Sequence, residues 1–159
     1  DLPRRGRGRL RAGSLRAMMH VSPCAWYCFD VRDMRGWEIE DLQDKTLVVA
    51  EDRSCIIELI AARKIKQAVD VEISDFHETY LREEKLQPMK TVMTENPYKI
   101  LTIVTRGIGP DERYWIVCHA FWNNYCAFIR YHGHRQEHME GKIQVFYDIV
   151  NSLQPLAMD

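Results

Sequence analysis

The stretch ERYWIVCHAFWNNYCAFIRYH, residues 112–132, carries the reading of the fold. Two runs rich in aromatic and β-branched residues, Glu112 to Phe121 and Tyr125 to His132, flank the tripeptide Trp122-Asn123-Asn124. Such runs favour pleated strands, and the short polar interruption supplies the tight turn that joins two antiparallel neighbours. A charged turn follows, and then a segment from about Gln136 to Leu153 in which Ile143, Phe146, Val150 and Leu153 recur at spacings of three and four. That period places them on one stripe of an amphipathic helix ending near Pro155. Strand, hairpin, strand and closing helix form a packing unit, and no reaction motif lies on it.

Working outward, Gly107-Ile108-Gly109-Pro110-Asp111 is the clearest loop of the chain. Before it, Tyr98 to Arg106 is rich in Ile, Val and Thr, Asn96-Pro97 reads as a turn, and Met89 to Glu95 alternates. Ile73-Ser74-Asp75 opens a helix, with Ser74 or Asp75 as its cap and Pro88 as its stop. Ile73, Phe76, Tyr80 and Leu81 share its buried face, while Glu78, Arg82, Glu83 and Lys85 form a solvated stripe. The segments Cys24 to Phe29, Thr46 to Ala50 and Cys55 to Ala62 read as strands, and Arg32 to Asp44 as a loop carrying Gly36 and Trp37. The order β-β-β-α-β-β-β-β-α predicts the α+β class: a mostly antiparallel sheet of about six to seven strands flanked by two main helices.

Charge divides the chain. Residues 1–17 hold six Arg against one Asp, whereas residues 18–159 carry a net charge of -6. We therefore expect one α+β domain over residues 18–159 behind an Arg-rich arm. The arm reads first as a leader foreign to the native protein, the alternatives being a disordered basic tail and an organellar presequence. An acidic body disfavours a nucleic-acid surface. No apolar run approaches the roughly 20 residues of a membrane span. The five cysteines, with no Cys-x-x-Cys pair and no secretory core, read as reduced thiols of a cytoplasmic protein.

Candidate chemistry is sparse. Cys118 and His119 are adjacent and would point to opposite sides of a sheet, so they form no nucleophile pair. Gly-x-Ser-x-Gly and Gly-rich phosphate loops are absent. His132, His134 and His138, beside Glu137, are the candidate metal ligands; the plainer reading is a solvated turn and first helical turn. No catalytic residue and no cofactor are expected. Exposed aromatics beside acids suit a protein-binding surface instead, and Trp37, Asp111, Glu112 and Trp122 are its candidate residues, with Trp37 in a loop and Trp122 at a hairpin tip.

Several segments together resemble the PsbP-like α/β sandwich. They are Trp37, the run Ile56 to Lys64, Val71 to Phe76, Tyr114-Trp115, Tyr125 to Tyr131 and Ile149 to Leu153. More narrowly the chain resembles small bacterial immunity proteins of that fold and DcrB-like chaperones of type VI secretion effectors. The resemblance spans about residues 24–156 and implies a structural pattern with no catalytic position. It implies a non-enzymatic, cytoplasmic protein that binds a cognate protein, first as an immunity protein neutralising a secreted bacterial toxin. The alternatives are an effector chaperone or adaptor, favoured if Ile, Val and Met of the 89–106 hairpin are exposed, and a metal-binding protein using the His132 cluster. An open edge strand would also allow a homodimer.

Overall fold

A computed structural model describes residues 18–63, 69–133 and 140–156. Among the described residues nine strands precede the second helix: β1 Met19–Val21, β2 Tyr27–Asp30, β3 Trp37–Asp41, β4 Lys45–Ala50, β5 Cys55–Arg63, β6 Gln87–Glu95, β7 Leu101–Ile108, β8 Tyr114–Trp122 and β9 Tyr125–Gly133. Helix α1, Asp70–Glu83, lies between β5 and β6; α2, Glu140–Ser152, is followed by β10, Gln154–Pro155. Seven strands form one antiparallel sheet in the order β3-β4-β5-β9-β8-β7-β6, and β1-β2-β10 form a small second sheet. The class is α+β, as the element pattern implies.

Side-chain parity explains why the central strands look continuously apolar. On β8, Tyr114, Ile116, Cys118, Ala120 and Trp122 join a core with Tyr27 and Phe29 of β2, Phe146 and Ile149 of α2, and Leu153 just after it. The alternate residues Val117 and Phe121 pack with Leu81 and Ile73 of α1. Both faces of the sheet are covered, so both parities are apolar. Tyr27, Phe29, Ile116, Ile129, Phe146 and Ile149 are all at most 1% exposed, each such burial contributing roughly 1.5–3 kcal/mol before entropy is counted. The α2 stripe falls where the periodicity places it, with Ile149 added to it.

Several local expectations are corrected. The span read as a loop over Arg32 to Asp44 contains the strand β3, whose Glu38 and Glu40 alternate with Trp37 and Ile39. The first segment splits: Cys24 lies in a turn, and the strand begins at Tyr27. Helix α1 starts at Asp70, ahead of Ser74 and Asp75; its first turn is closed by the Val69 N–H donating to Glu72 Oε1 at 3.0 Å. It ends at Glu83, and Pro88 sits in β6, at a register shift opposite Gly107. A Cβ on Gly107 would stand 2.2 Å from the Gln87 carbonyl oxygen, so only glycine admits that crossing.

Asn96 joins the β6–β7 turn to the end of α2. Its amide donates to the carbonyls of Val150 and Leu153, both at 3.0 Å. Its Oδ1 accepts the N–H groups of Tyr98 and Ile100 at 2.9 and 3.1 Å. All the hydrogen-bonding capacity of the side chain is used in a buried position. The β6–β7 hairpin is thereby held at one end to the end of the helix, where the Val150 carbonyl also accepts the Leu153 N–H at 3.4 Å.

Candidate functional site

The sheet has two outer strands, β3 and β6, and they differ in length and in chemistry. β3 is five residues long and carries Glu38, Glu40 and Asp41. Glu38 lies 3.7 Å from Arg53, and Asp41 accepts hydrogen bonds from Thr46 at 2.7 Å and His20 at 3.0 Å. Short length and inward or outward acids are the devices by which edges resist pairing. β6 is nine residues long and exposed at every position. Met89, Val92 and Met93 stand at 54, 45 and 37% exposure, close to Ile108 at 41%. Its protecting features, Pro88 and the register shift before Lys90, are confined to one end; from Lys90 to Glu95 the pairing with β7 is regular. The outer backbone of that stretch is a template for a further strand.

Beneath α1 lies a buried polar chain that no motif announced. His77 Nδ1 meets His119 Nδ1 at 2.7 Å, His77 Nε2 meets Thr105 Oγ1 at 2.6 Å, and Thr105 Oγ1 meets Thr91 Oγ1 at 2.7 Å. His77 and His119 are fully buried, and Phe76, Tyr80 and Phe128 set their rings around His119 at 4.9–5.1 Å. Burial pushes the His77 imidazole down to about 4, so it is neutral at pH 7. A contact between two Nδ1 atoms needs one N–H and one lone pair, which two imidazolium ions cannot provide. The chain pins α1 to β7 and β8 and reaches β6 through Thr91. Cys118, one residue from His119, faces the opposite core, where burial pushes its thiol far up. The expected separation of Cys118 from His119 is observed.

A second polar network sits beside it. Glu58 accepts hydrogen bonds from Lys45 at 2.6 Å and Arg130 at 2.5 Å, and Arg130 also donates to the Tyr80 hydroxyl at 2.7 Å. Burial works to raise the Glu58 carboxyl, but the Lys45 and Arg130 hydrogen bonds bring it below its ordinary value. The network ties β4, β5, β9 and α1 together.

The residues singled out from sequence do not converge. Trp37 is half-buried on β3 and packs on the main core. Asp111 and Glu112 are exposed in the loop before β8, where the Arg113 N–H holds the Asp111 carboxyl below its usual range. Trp122 is 6% exposed, which corrects the expectation of a surface ring at a hairpin tip. As the last residue of β8 it keeps the parity of the α2 face, stacks on Tyr125 and meets the edge of Tyr27. It stands at the opposite end of β8 from Asp111 and Glu112, roughly 27 Å away at the usual strand rise. His132 is half-buried on β9, stacked on Trp115 at 4.8 Å. Burial, and then the Arg130 cation, hold its imidazole below the usual value. His134 and His138 lie outside the described residues, among which no cluster of three metal-binding side chains occurs.

No protein-family model matches the chain, and no curated protein sequence matches it. Solved structures do. The solution structure of cyanobacterial PsbP (CyanoP) from Synechocystis sp. PCC 6803 aligns with a TM-score of 0.62 at 9% identity, covering 93% of this chain and 98% of that one. The fold is PsbP-like. A crystal structure from Bacteroides thetaiotaomicron VPI-5482 aligns with a TM-score of 0.57 at 12% identity, over 87% of this chain and 48% of that chain. At such identities the likeness concerns architecture alone, and any function rests on this chain's own surface. Among the described residues no helix is long and apolar enough to cross a membrane.

Proposed function

We propose that this PsbP-like chain is a non-enzymatic, cytoplasmic protein-binding module whose docking element is the edge strand β6. The supporting observation is the contrast between β6, nine exposed residues with Met89, Val92 and Met93 projecting from it, and the short acidic β3. The occupant that suits it is an extended segment of a partner protein. That segment would add a strand to the sheet through main-chain hydrogen bonds while its alternate side chains meet those of β6. This supports the adaptor or chaperone reading, in which the module shelters an apolar stretch of a secreted effector. A second reading, an immunity protein that neutralises a secreted bacterial toxin, draws on the net charge of -6 over residues 18–159, since an acidic body steers towards a basic partner.

The test uses the full chain and its partner, isolated by co-purification. Replacing Val92 and Met93 together by Lys leaves the fold intact and weakens the complex at least about tenfold, because β6 is solvent-facing and the charges oppose a docked strand. Replacing Glu38 and Glu40 by Lys leaves the affinity of an adaptor unchanged. If the β3 substitutions weaken the complex and the β6 substitutions do not, the β6 proposal is wrong and the acidic surface of the immunity reading takes its place. A self-associated form that V92K/M93K disperses would identify a second copy as the occupant.

A further inference from the structure

We infer that the groove between the β6–β7 hairpin and the last turns of α2 is a binding site for a small carboxylate with a short apolar body. Lys90 and Arg106 are direct cross-strand partners on β6 and β7. Like charges directly opposite one another destabilise a sheet. Both line the same cavity of about 250 Å³, and among the described residues no carboxylate lies within ion-pair distance of either. Arg106 lines the groove, and its Nε is buried behind that wall with no hydrogen-bond partner, so the fork-shaped cation is incompletely satisfied by the protein. Burial pushes the neighbouring Tyr147 phenol up, and the Arg106 charge, together with a side-chain hydrogen bond from Arg106, works against that rise.

Val92, Val104, Val150 and the Tyr147 ring form the apolar part of the remaining wall, and Thr94, Thr102 and Asn151 add polar groups to it. The cavity therefore offers two cations that repel each other beside a wall in which three valines and a tyrosine ring supply the apolar surface. A monoanion between Lys90 and Arg106 turns the repulsion into two charge-assisted hydrogen bonds, of which the Arg106 fork can make a bidentate set. The volume equals about eight waters, which suits a ligand of about ten non-hydrogen atoms. A phosphate or sulfate would satisfy the cations and leave the valine walls empty; a hydrocarbon alone would leave the two cations facing each other without a counter-charge. The carboxylate with a short apolar body meets both requirements. This site lies on the α2 side of the sheet and shares Val92 with the docking edge; Arg106 is on β7, inside the sheet, so its variants test the site apart from strand docking.

The probes are octanoate, octanol and inorganic phosphate, titrated into the full chain by calorimetry and by amide chemical-shift mapping. Octanoate binds, with shifts centred on residues 90–94, 102–106 and 147–151. Octanol and phosphate each bind about tenfold or more weaker, because each satisfies half of the site. Arg106→Gln weakens octanoate about tenfold, and Arg106→Lys restores part of the loss. Lys90→Gln, at an exposed position, weakens it about threefold with the ligand-free melting temperature unchanged or raised, and serves if the Arg106 variants do not fold. Equal binding of octanoate and octanol, binding of phosphate alone, shifts mapping elsewhere, or no binding of any probe at millimolar concentration would each overturn the assignment.

Discussion

The two edges of the same sheet present opposite surfaces to a passing strand. β3 is five residues long, and two of its three acids are engaged, Glu38 by Arg53 and Asp41 by Thr46 and His20. β6 is nearly twice as long, and its outward side chains include two methionines and a valine. A protein under pressure only to stay monomeric would be expected to blunt both edges in the same way. What the difference teaches is that the open edge is built from within. Asn96 fixes one end of the β6–β7 hairpin to α2, and the Thr91–Thr105–His77 contacts tie its middle to α1. β6 is thus an exposed strand on a rigid support.

That comparison can be broken at its strongest support first. Asn96→Ala removes four buried hydrogen bonds, two of them to the Val150 and Leu153 carbonyls, for a loss of about 3–4 kcal/mol in chemical denaturation. The loss should be accompanied by faster amide exchange in β6 and β7, with β3 unaffected. An equal rise in exchange at both edges would mean that Asn96 supports the whole sandwich and not the β6 side in particular.

Acid acts on the second support. The folded His77 pKa is depressed from 6.5 to about 4, so the unfolded chain binds the proton more readily than the folded one. The stabilisation is complete above pH 6.5 and is lost as the pH falls through about 4, amounting to about 3 kcal/mol across that window. Denaturant midpoints measured from pH 7 to pH 4 should fall accordingly. In His77→Leu, that part of the pH dependence should disappear. A slope that persists in the variant would place the titrating group elsewhere.

The smallest expected effect on stability sharpens the comparison instead. Glu38→Val with Glu40→Val gives β3 the surface of β6 while changing stability by less than about 1 kcal/mol, since both positions face solvent. Light scattering should then report concentration-dependent self-association through the new apolar edge. If the variant stays monomeric, apolar edge character alone does not confer strand pairing in this fold.

Much of the architecture was legible because it rests on local pattern. The hairpin around Asn123, whose φ is 47°, follows from a residue type that tolerates the left-handed region. The stripe of α2 follows from its period. β3 was hidden because its polar parity is acidic and follows Gly36, a combination that reads as a loop until pairing with β4 supplies the context. β1 and β10 have three and two residues and exist only through pairing with β2. His77 was missed because its burial depends on His119, distant in sequence, while its neighbours Phe76 and Glu78 already accounted for the two faces of α1. The alternation of β6 was readable; its position at the edge was not, since strand order is a tertiary property. The same holds for Lys90 opposite Arg106, which only the register brings together.

The central claim is that a partner adds its strand to β6. Amide hydrogen exchange of the chain, alone and in complex with its co-purified partner, tests it most directly. The account predicts that amides within residues 90–95 exchange quickly in the isolated chain and become protected in the complex, while those of β3 do not change. Protection confined to β3, or to the loop carrying Asp111 and Glu112, with β6 still exchanging freely, would contradict it.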